Sequence, residues 1–125
     1  MKPLILIADD DADLRWLFRL SLQRNGFEVI EASDGLQALT CALASRPALI
    51  LLDVMMPNLD GLEVCRQLNM DTRTGSIPVI FVSARLDLAK RLETMSLPVA
   101  GCLTKPVALR DLVQSVSAAV FAEAH

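Results

Sequence analysis

Five polar residues follow or end short apolar runs in this sequence, at the points where buried strands would end: Asp9, Asp10, Asp53, Ser83 and Lys105. Carboxylates ligate hard cations such as Mg²⁺, and a carboxylate can also attack phosphorus as a nucleophile. A hydroxyl and an ammonium group can hold the oxygens of a phosphoryl group. These residue types therefore have the chemistry of phosphoryl transfer onto a carboxylate, provided that the fold brings them together.

The apolar runs predict the strands that must position these residues. Runs at 4–8, 48–52 and 77–82 are short, continuous and bounded by Pro, Asp or Ser, which is typical of parallel strands covered on both faces. More mixed runs at 27–31 and 99–104 follow turn-forming residues and are predicted to be strands nearer the edges of the sheet.

Between these runs, apolar residues recur at helical spacing. The stripes contain Leu14, Leu17 and Phe18; Leu36, Leu39 and Leu43; Leu62, Cys65 and Leu68; Leu88 and Leu92; and Leu109, Leu112 and Val116. Parallel strands need crossover connections, which are nearly always right-handed helices. We therefore predict a single α/β domain over residues 1–125, with an open parallel sheet between two helical layers. In such sheets ligands bind at the carboxyl ends of the strands.

The carboxylates of Asp9, Asp10 and Asp53 would repel one another at that edge. Two unit charges about 4 Å apart cost roughly 4 kcal/mol at an effective dielectric constant near 20. A positive partner is therefore expected, and Mg²⁺ with carboxylate and water ligands fits. Lys105 would supply a second, fixed positive charge.

Each residue also has a purely structural interpretation. Asp11 or Asp13 can cap the first helix, Ser83 can cap the fourth, and Lys105 can be a solvated surface charge. The coincidence of all these residues at one sheet edge favours a site.

Composition excludes several other classes of protein. A net charge of -3 and a pI of about 5.0 argue against direct nucleic-acid binding. No apolar stretch approaches the roughly 18 residues of a membrane span, and the first run ends in aspartates rather than a signal cleavage site, so we expect a cytoplasmic protein without a membrane partner. Cys41, Cys65, Cys102 and the lone His125 support neither disulfides nor a zinc site; buried free thiols are expected.

Four segments together resemble the receiver domain of two-component response regulators. They are Ile-Ala-Asp-Asp-Asp at 7–11, Asp-Val-Met-Met-Pro-Asn-Leu-Asp-Gly at 53–61, Ser-Ala at 83–84 and Leu-Thr-Lys-Pro at 103–106. The resemblance covers essentially the whole chain. It implies a flavodoxin-like doubly wound sheet of strand order 2-1-3-4-5, which the periodicity alone leaves open.

Carried over position by position, the resemblance gives these residues roles in phosphoryl transfer. Asp53 matches the phosphoacceptor. The metal ligands are matched by Asp9, Asp10, Asp53 and the backbone carbonyl of Met55. Ser83 and Lys105 match the positions that contact the phosphoryl group, and the Lys105-Pro106 bond is cis in the family.

The implied donor is a phosphohistidine on a sensor histidine kinase or a histidine phosphotransfer domain, and the implied output is a downstream effector protein or domain. The chain would catalyse only its own phosphorylation and dephosphorylation, so it is not expected to be an enzyme. One position departs from the family: Cys102 stands where Tyr or Phe usually moves with the hydroxyl residue. We expect the switch to involve Ser83 and Cys102.

Three alternatives remain. A receiver-like protein-interaction module that is never phosphorylated would explain Cys102, but the intact Asp53, Ser83 and Lys105 argue against it. A small phosphatase that uses an aspartyl phosphate would need a different nucleophile motif. A flavoprotein of similar topology would need hydroxyl or glycine residues where this chain has Asp9-Asp10-Asp11.

Overall fold

The computed structural model describes residues 2–84 and 99–122. In chain order these residues form β1 (Leu4–Ala8), α1 (Ala12–Arg24), β2 (Glu28–Ala32), α2 (Gly35–Ser45), β3 (Leu49–Asp53), α3 (Gly61–Met70), β4 (Val79–Ser83), β5 (Gly101–Thr104) and α4 (Leu109–Phe121). The helix predicted around Leu88 and Leu92 lies outside the described residues, so the capping role suggested for Ser83 at its start stays a prediction.

All the strands run parallel in one sheet of order β2-β1-β3-β4-β5. This confirms the order implied by the resemblance and the prediction that β1, β3 and β4 are central. β1 has the predicted bounds, and the ends of the other strands differ by at most two residues from those predicted. Asp53 pairs with Val82, and Ser83 pairs with Thr104, so the last polar residues of β3 and β4 belong to the strands and are held by the sheet itself.

Alternate strand residues face opposite helical layers, which is why β1 is apolar throughout and β3 and β4 are apolar at every position before their polar last residues. One layer is α2 and α3, packed against one face of the sheet through Leu6, Ile50, Leu52, Phe81, Ala38, Ala42, Leu62 and Leu68. The other layer is α1 and α4, packed against the opposite face through Ile5, Ile7, Leu49, Leu51, Ile80, Phe18, Leu22, Leu112 and Val116.

Aspartate side chains cap three of the helices. Asp11 accepts hydrogen bonds from the backbone at the start of α1, and Asp34 and Asp60 do the same for α2 and α3. The capping role predicted for Asp11 is therefore confirmed. Each cap fixes where a helix begins immediately after a strand end or loop of the sheet edge.

The thiol prediction is confirmed for one cysteine and wrong for another. Cys65 is buried in the layer of α2 and α3, whereas Cys102 is exposed on β5. The reason is position in the sheet, because β5 is an edge strand whose residues alternate between half-buried and exposed. Within 2–84 and 99–122, no helix is long and apolar enough to cross a membrane.

Candidate functional site

Three carboxylates meet where β1 and β3 end side by side. Asp9 directly follows β1 and is 2% exposed, Asp53 ends β3 and is 6% exposed, and Asp10 is exposed to solvent. Oxygens of all three side chains lie within 4.8 Å of one another. The strand pairing of β1 with β3 is what brings residues far apart in sequence to this spacing.

Lys105 places its ammonium group against two of these carboxylates. Its Nζ lies 2.9 Å from Oδ2 of Asp9 and 3.4 Å from Oδ2 of Asp53. Its backbone N–H donates to the carbonyl of Ser83 at 2.8 Å, and the Lys105-Pro106 bond is cis. Burial works to lower the pKa of Lys105, but the hydrogen bond and charge of Asp9, with the charge of Asp53, outweigh it and raise the pKa. The lysine therefore remains a cation at neutral pH.

The Asp53 carboxyl group lies in surroundings that disfavour its charge. Burial, followed by repulsion from Asp9, raises its pKa, while Lys105 and the backbone N–H of Met55 oppose the rise. That N–H donates to Oδ1 of Asp53 at 3.4 Å. A single lysine thus compensates the cluster only in part. A hard divalent cation fits this donor set, since three carboxylates at short spacing match its preference for oxygen ligands.

Ser83 and Cys102 lie on the neighbouring strands β4 and β5. Ser83 ends β4 and is 1% exposed. Cys102 is paired with Phe81 in the strand register, two residues before Ser83. Burial raises the pKa of the Cys102 thiol. Met55, immediately beyond β3, leaves 66% of its surface exposed next to Asp53.

The site depends on contacts of two residues that the sequence did not predict. Gly61 begins α3 against the end of β3: a Cβ atom there would lie 2.2 Å from the carbonyl oxygen of Asp53. The Gly61 N–H also donates to the Val54 carbonyl at 2.8 Å. Arg15 of α1 donates from Nη1 to the Asp9 carbonyl at 2.7 Å. Gly61 closes the 53–61 segment that resembles the family, but that segment does not reveal its close approach to the Asp53 backbone, and Arg15 has no signal beyond its helical position.

Comparison with known proteins agrees with this geometry. The family model of the response regulator receiver domain matches residues 5–117. The response regulator MprA of Mycobacterium bovis is 41% identical over 119 residues, covering 94% of this chain and 50% of that protein. MprA of a Mycobacterium sp. is 42% identical over the same shares. The chain thus spans about half the length of the curated relatives it matches.

Solved structures show the same architecture. The chemotaxis response regulator CheY4 of Vibrio cholerae has a TM-score of 0.87 at 27% identity, covering 95% of this chain and 99% of that one. A Francisella response regulator receiver domain has a TM-score of 0.88 at 28% identity, covering 98% and 99%. With the family model matching most of its length, the chain belongs to the response regulator receiver domain family of two-component signalling.

Proposed function

We propose that this domain accepts a phosphoryl group on Asp53, with Mg²⁺ bound beside it, and thereby changes its affinity for a partner. The observation that carries the proposal is the convergence of three carboxylates and the Lys105 ammonium group at one sheet edge. Asp53 is the only one of these three carboxylates that belongs to a strand, where it pairs with Val82 of β4. The sheet therefore holds its main chain, which favours Asp53 as the group positioned for in-line attack.

In the proposed step, a carboxylate oxygen of Asp53 forms a bond to phosphorus while the P–N bond of a phosphohistidine breaks. The imidazole leaves with the electron pair of that bond and takes up a proton. Lys105 would offset the negative charge of the transferred group, and the Ser83 hydroxyl would donate to one of its oxygens. Bound Mg²⁺ would neutralise charge on the carboxylates and the phosphoryl oxygens. Its ligands would be Asp9, Asp10, Asp53 and the Met55 carbonyl.

The proposed donor is a sensor histidine kinase or a histidine phosphotransfer domain in the cytoplasm. The recipient of the signal is a downstream effector protein or domain. Receiver domains as a family act as switches, and we propose that this one catalyses only its own phosphorylation and dephosphorylation. With a net charge of -3, the domain itself lacks the positive field that holds a phosphate backbone, so we propose no direct nucleic-acid contact.

The proposed switch uses Ser83 and Cys102. On phosphorylation, the Ser83 hydroxyl would turn toward the phosphoryl oxygens and leave space behind it. A thiol at Cys102 fills far less space than an aromatic ring, so the change in surface at β5 would be small. Cys102 also motivates the second candidate function, a receiver-like interaction module that is never phosphorylated.

Intact mass after incubation with acetyl phosphate distinguishes these functions. We expect a gain of one phosphoryl mass that requires Mg²⁺ and is absent in Asp53→Asn. Asp60→Asn is the matched control: it neutralises the cap of α3 while keeping a capping side chain, and it should retain the gain. A correctly folded native chain that binds Mg²⁺ yet gains no mass, from acetyl phosphate or from a phosphohistidine donor, would instead support the interaction module.

A further inference from the structure

Arg15 joins the end of β1 to the edge strand β2. Its Nη1 donates to the backbone carbonyl of Asp9 at 2.7 Å, and its Nε donates to Oε1 of Glu31 at 3.0 Å. The Arg15 side chain is only 17% exposed. A guanidinium group is planar and donates in fixed directions, so binding at Glu31 sets the direction from which Arg15 reaches Asp9.

Residues of β2 hold the main chain of Asp9 on both sides. Its N–H donates to the carbonyl of Ala32 at 3.1 Å, and its carbonyl is held by Arg15 through the adjacent Glu31. Immediately beyond, the Asp11 N–H donates to Oδ1 of Asp9 at 2.9 Å. The turn 9–11, which carries two of the proposed metal ligands, is therefore anchored at its first residue to β2.

We propose that Arg15 is a positioning residue for the metal site: it fixes the turn 9–11 so that Asp9 and Asp10 present their carboxylates together. This inference rests on the proposed function, because it concerns the same Mg²⁺ site. Arg15 touches the main chain of one ligand and none of the carboxylates that form the cluster, so its effect is through geometry rather than through ligation.

The charge of Arg15 and its proposed positioning role have opposite effects on Mg²⁺ affinity. A cation near a Mg²⁺ site repels the metal, so removing the charge alone would tighten binding. Glu31 offsets part of this repulsion through the ion pair of its Oε1 with Arg15, and its Oε2 also accepts from Arg19 at 2.5 Å. The positioning role therefore predicts weaker Mg²⁺ binding when Arg15 is removed, whereas a purely electrostatic role predicts the opposite sign.

Arg19 provides the matched control. It is also on α1 and also pairs with Glu31, but no contact joins it to Asp9 among the described residues. Mg²⁺ titrations would follow the amide signals of Asp10 and Asp11 by NMR, and thermal unfolding would be recorded in EDTA. We expect the Mg²⁺ Kd to rise about 10-fold in Arg15→Met, the lower end of the range for residues that orient metal ligands, and to change less than about 2-fold in Arg19→Met.

Arg15→Lys keeps the charge and loses the planar fork, so it should restore only part of the affinity. If Arg15→Met folds poorly, the Kd of Arg15→Lys still tests the positioning role. Equal Kd values for the native chain, Arg15→Lys and Arg15→Met, or tighter binding in Arg15→Met, would overturn the positioning role and leave the proposed function intact. A folded native chain that binds no Mg²⁺ would overturn the metal site, and the inference with it.

Discussion

The end of β3 and the edge strand β5 are built in opposite ways. At the end of β3, Asp53 is buried between two paired strands, contacts Lys105 and Met55, and has Gly61 packed against its carbonyl. On β5, Cys102 is exposed. In the part of the chain that the structure describes, a cavity of about 560 Å³ lies between β5 and α4, lined mainly by small residues such as Ala100, Gly101, Cys102, Ala118 and Ala119.

This difference indicates which part of the domain tolerates change. Beside Asp53, Gly61 lies so close to the strand backbone that an added methyl group has nowhere to go. Along β5 there is space behind the strand, and substitutions need displace little. We expect the chemistry of the domain to be sensitive to small changes at its centre, and its β5 surface to accept changes that alter only the partner.

Adding a methyl group to one glycine in each region tests this contrast most strongly. In Gly61→Ala the new Cβ would lie 2.2 Å from the Asp53 carbonyl oxygen. In Gly101→Ala the nearest atom to the new Cβ is a side-chain carbon of Ile80 at 4.0 Å. We expect Gly61→Ala to cost about 3 kcal/mol of unfolding free energy and to slow phosphorylation at least about 10-fold, because Asp53 must move.

Gly101→Ala is the control and should change the unfolding free energy by less than about 1 kcal/mol. Urea unfolding and the time course of acetyl phosphate labelling measure both quantities. If the two alanine variants lose similar stability, the two regions are packed alike and the contrast is wrong.

The sequence predicted which polar residues lie at this sheet edge because their placement follows from strand ends. Asp9, Asp53 and Ser83 each come at the end of a buried apolar run, and parallel strands bring such ends to one edge of a sheet. The strand order came only from the family resemblance. It depends on which crossovers pass over which face, and apolar periodicity does not encode that choice.

The sequence did not predict the contacts made between elements. Arg15 is one charged residue among several on α1, and its bond to the Asp9 carbonyl depends on how the helix packs over the sheet. Gly61 is required because α3 approaches the Asp53 backbone closely, which is a tertiary distance. The exposure of Cys102 was missed because an apolar side chain was assumed to be buried, whereas edge strands leave alternate residues exposed.

Asp53→Asn tests the buried end of β3 through the unfolding free energy rather than through phosphoryl labelling. Because the folded-state pKa of Asp53 is raised above its ordinary value of 3.8, the folded chain binds the proton more tightly than the unfolded chain. Stability is then lost as pH rises through the interval between the two pKa values, and the loss persists at pH 7. Removing the charge should raise the unfolding free energy at pH 7 by about 1 kcal/mol, and by less as the pH is lowered toward 4.

Urea unfolding at several pH values measures this difference in unfolding free energy between the native chain and Asp53→Asn. EDTA is included so that no divalent cation stabilises the native carboxylates. A variant that is less stable than the native chain at pH 7 would show that Lys105 already compensates the buried charge in full. The partial compensation that motivates the metal site would then be wrong.

The smallest effect is expected at Cys102. Since this thiol is exposed and belongs to none of the contacts around Asp53, Cys102→Ala should leave the rate of acetyl phosphate labelling within about 2-fold and the unfolding free energy within about 0.5 kcal/mol. Cys102→Tyr supplies the aromatic group of the family at the same position. If that variant changes partner binding while labelling stays constant, β5 affects output separately from chemistry. If Cys102→Ala slows labelling as much as Gly61→Ala does, the edge strand and the proposed phosphorylation site form one unit, and the contrast between the two regions fails.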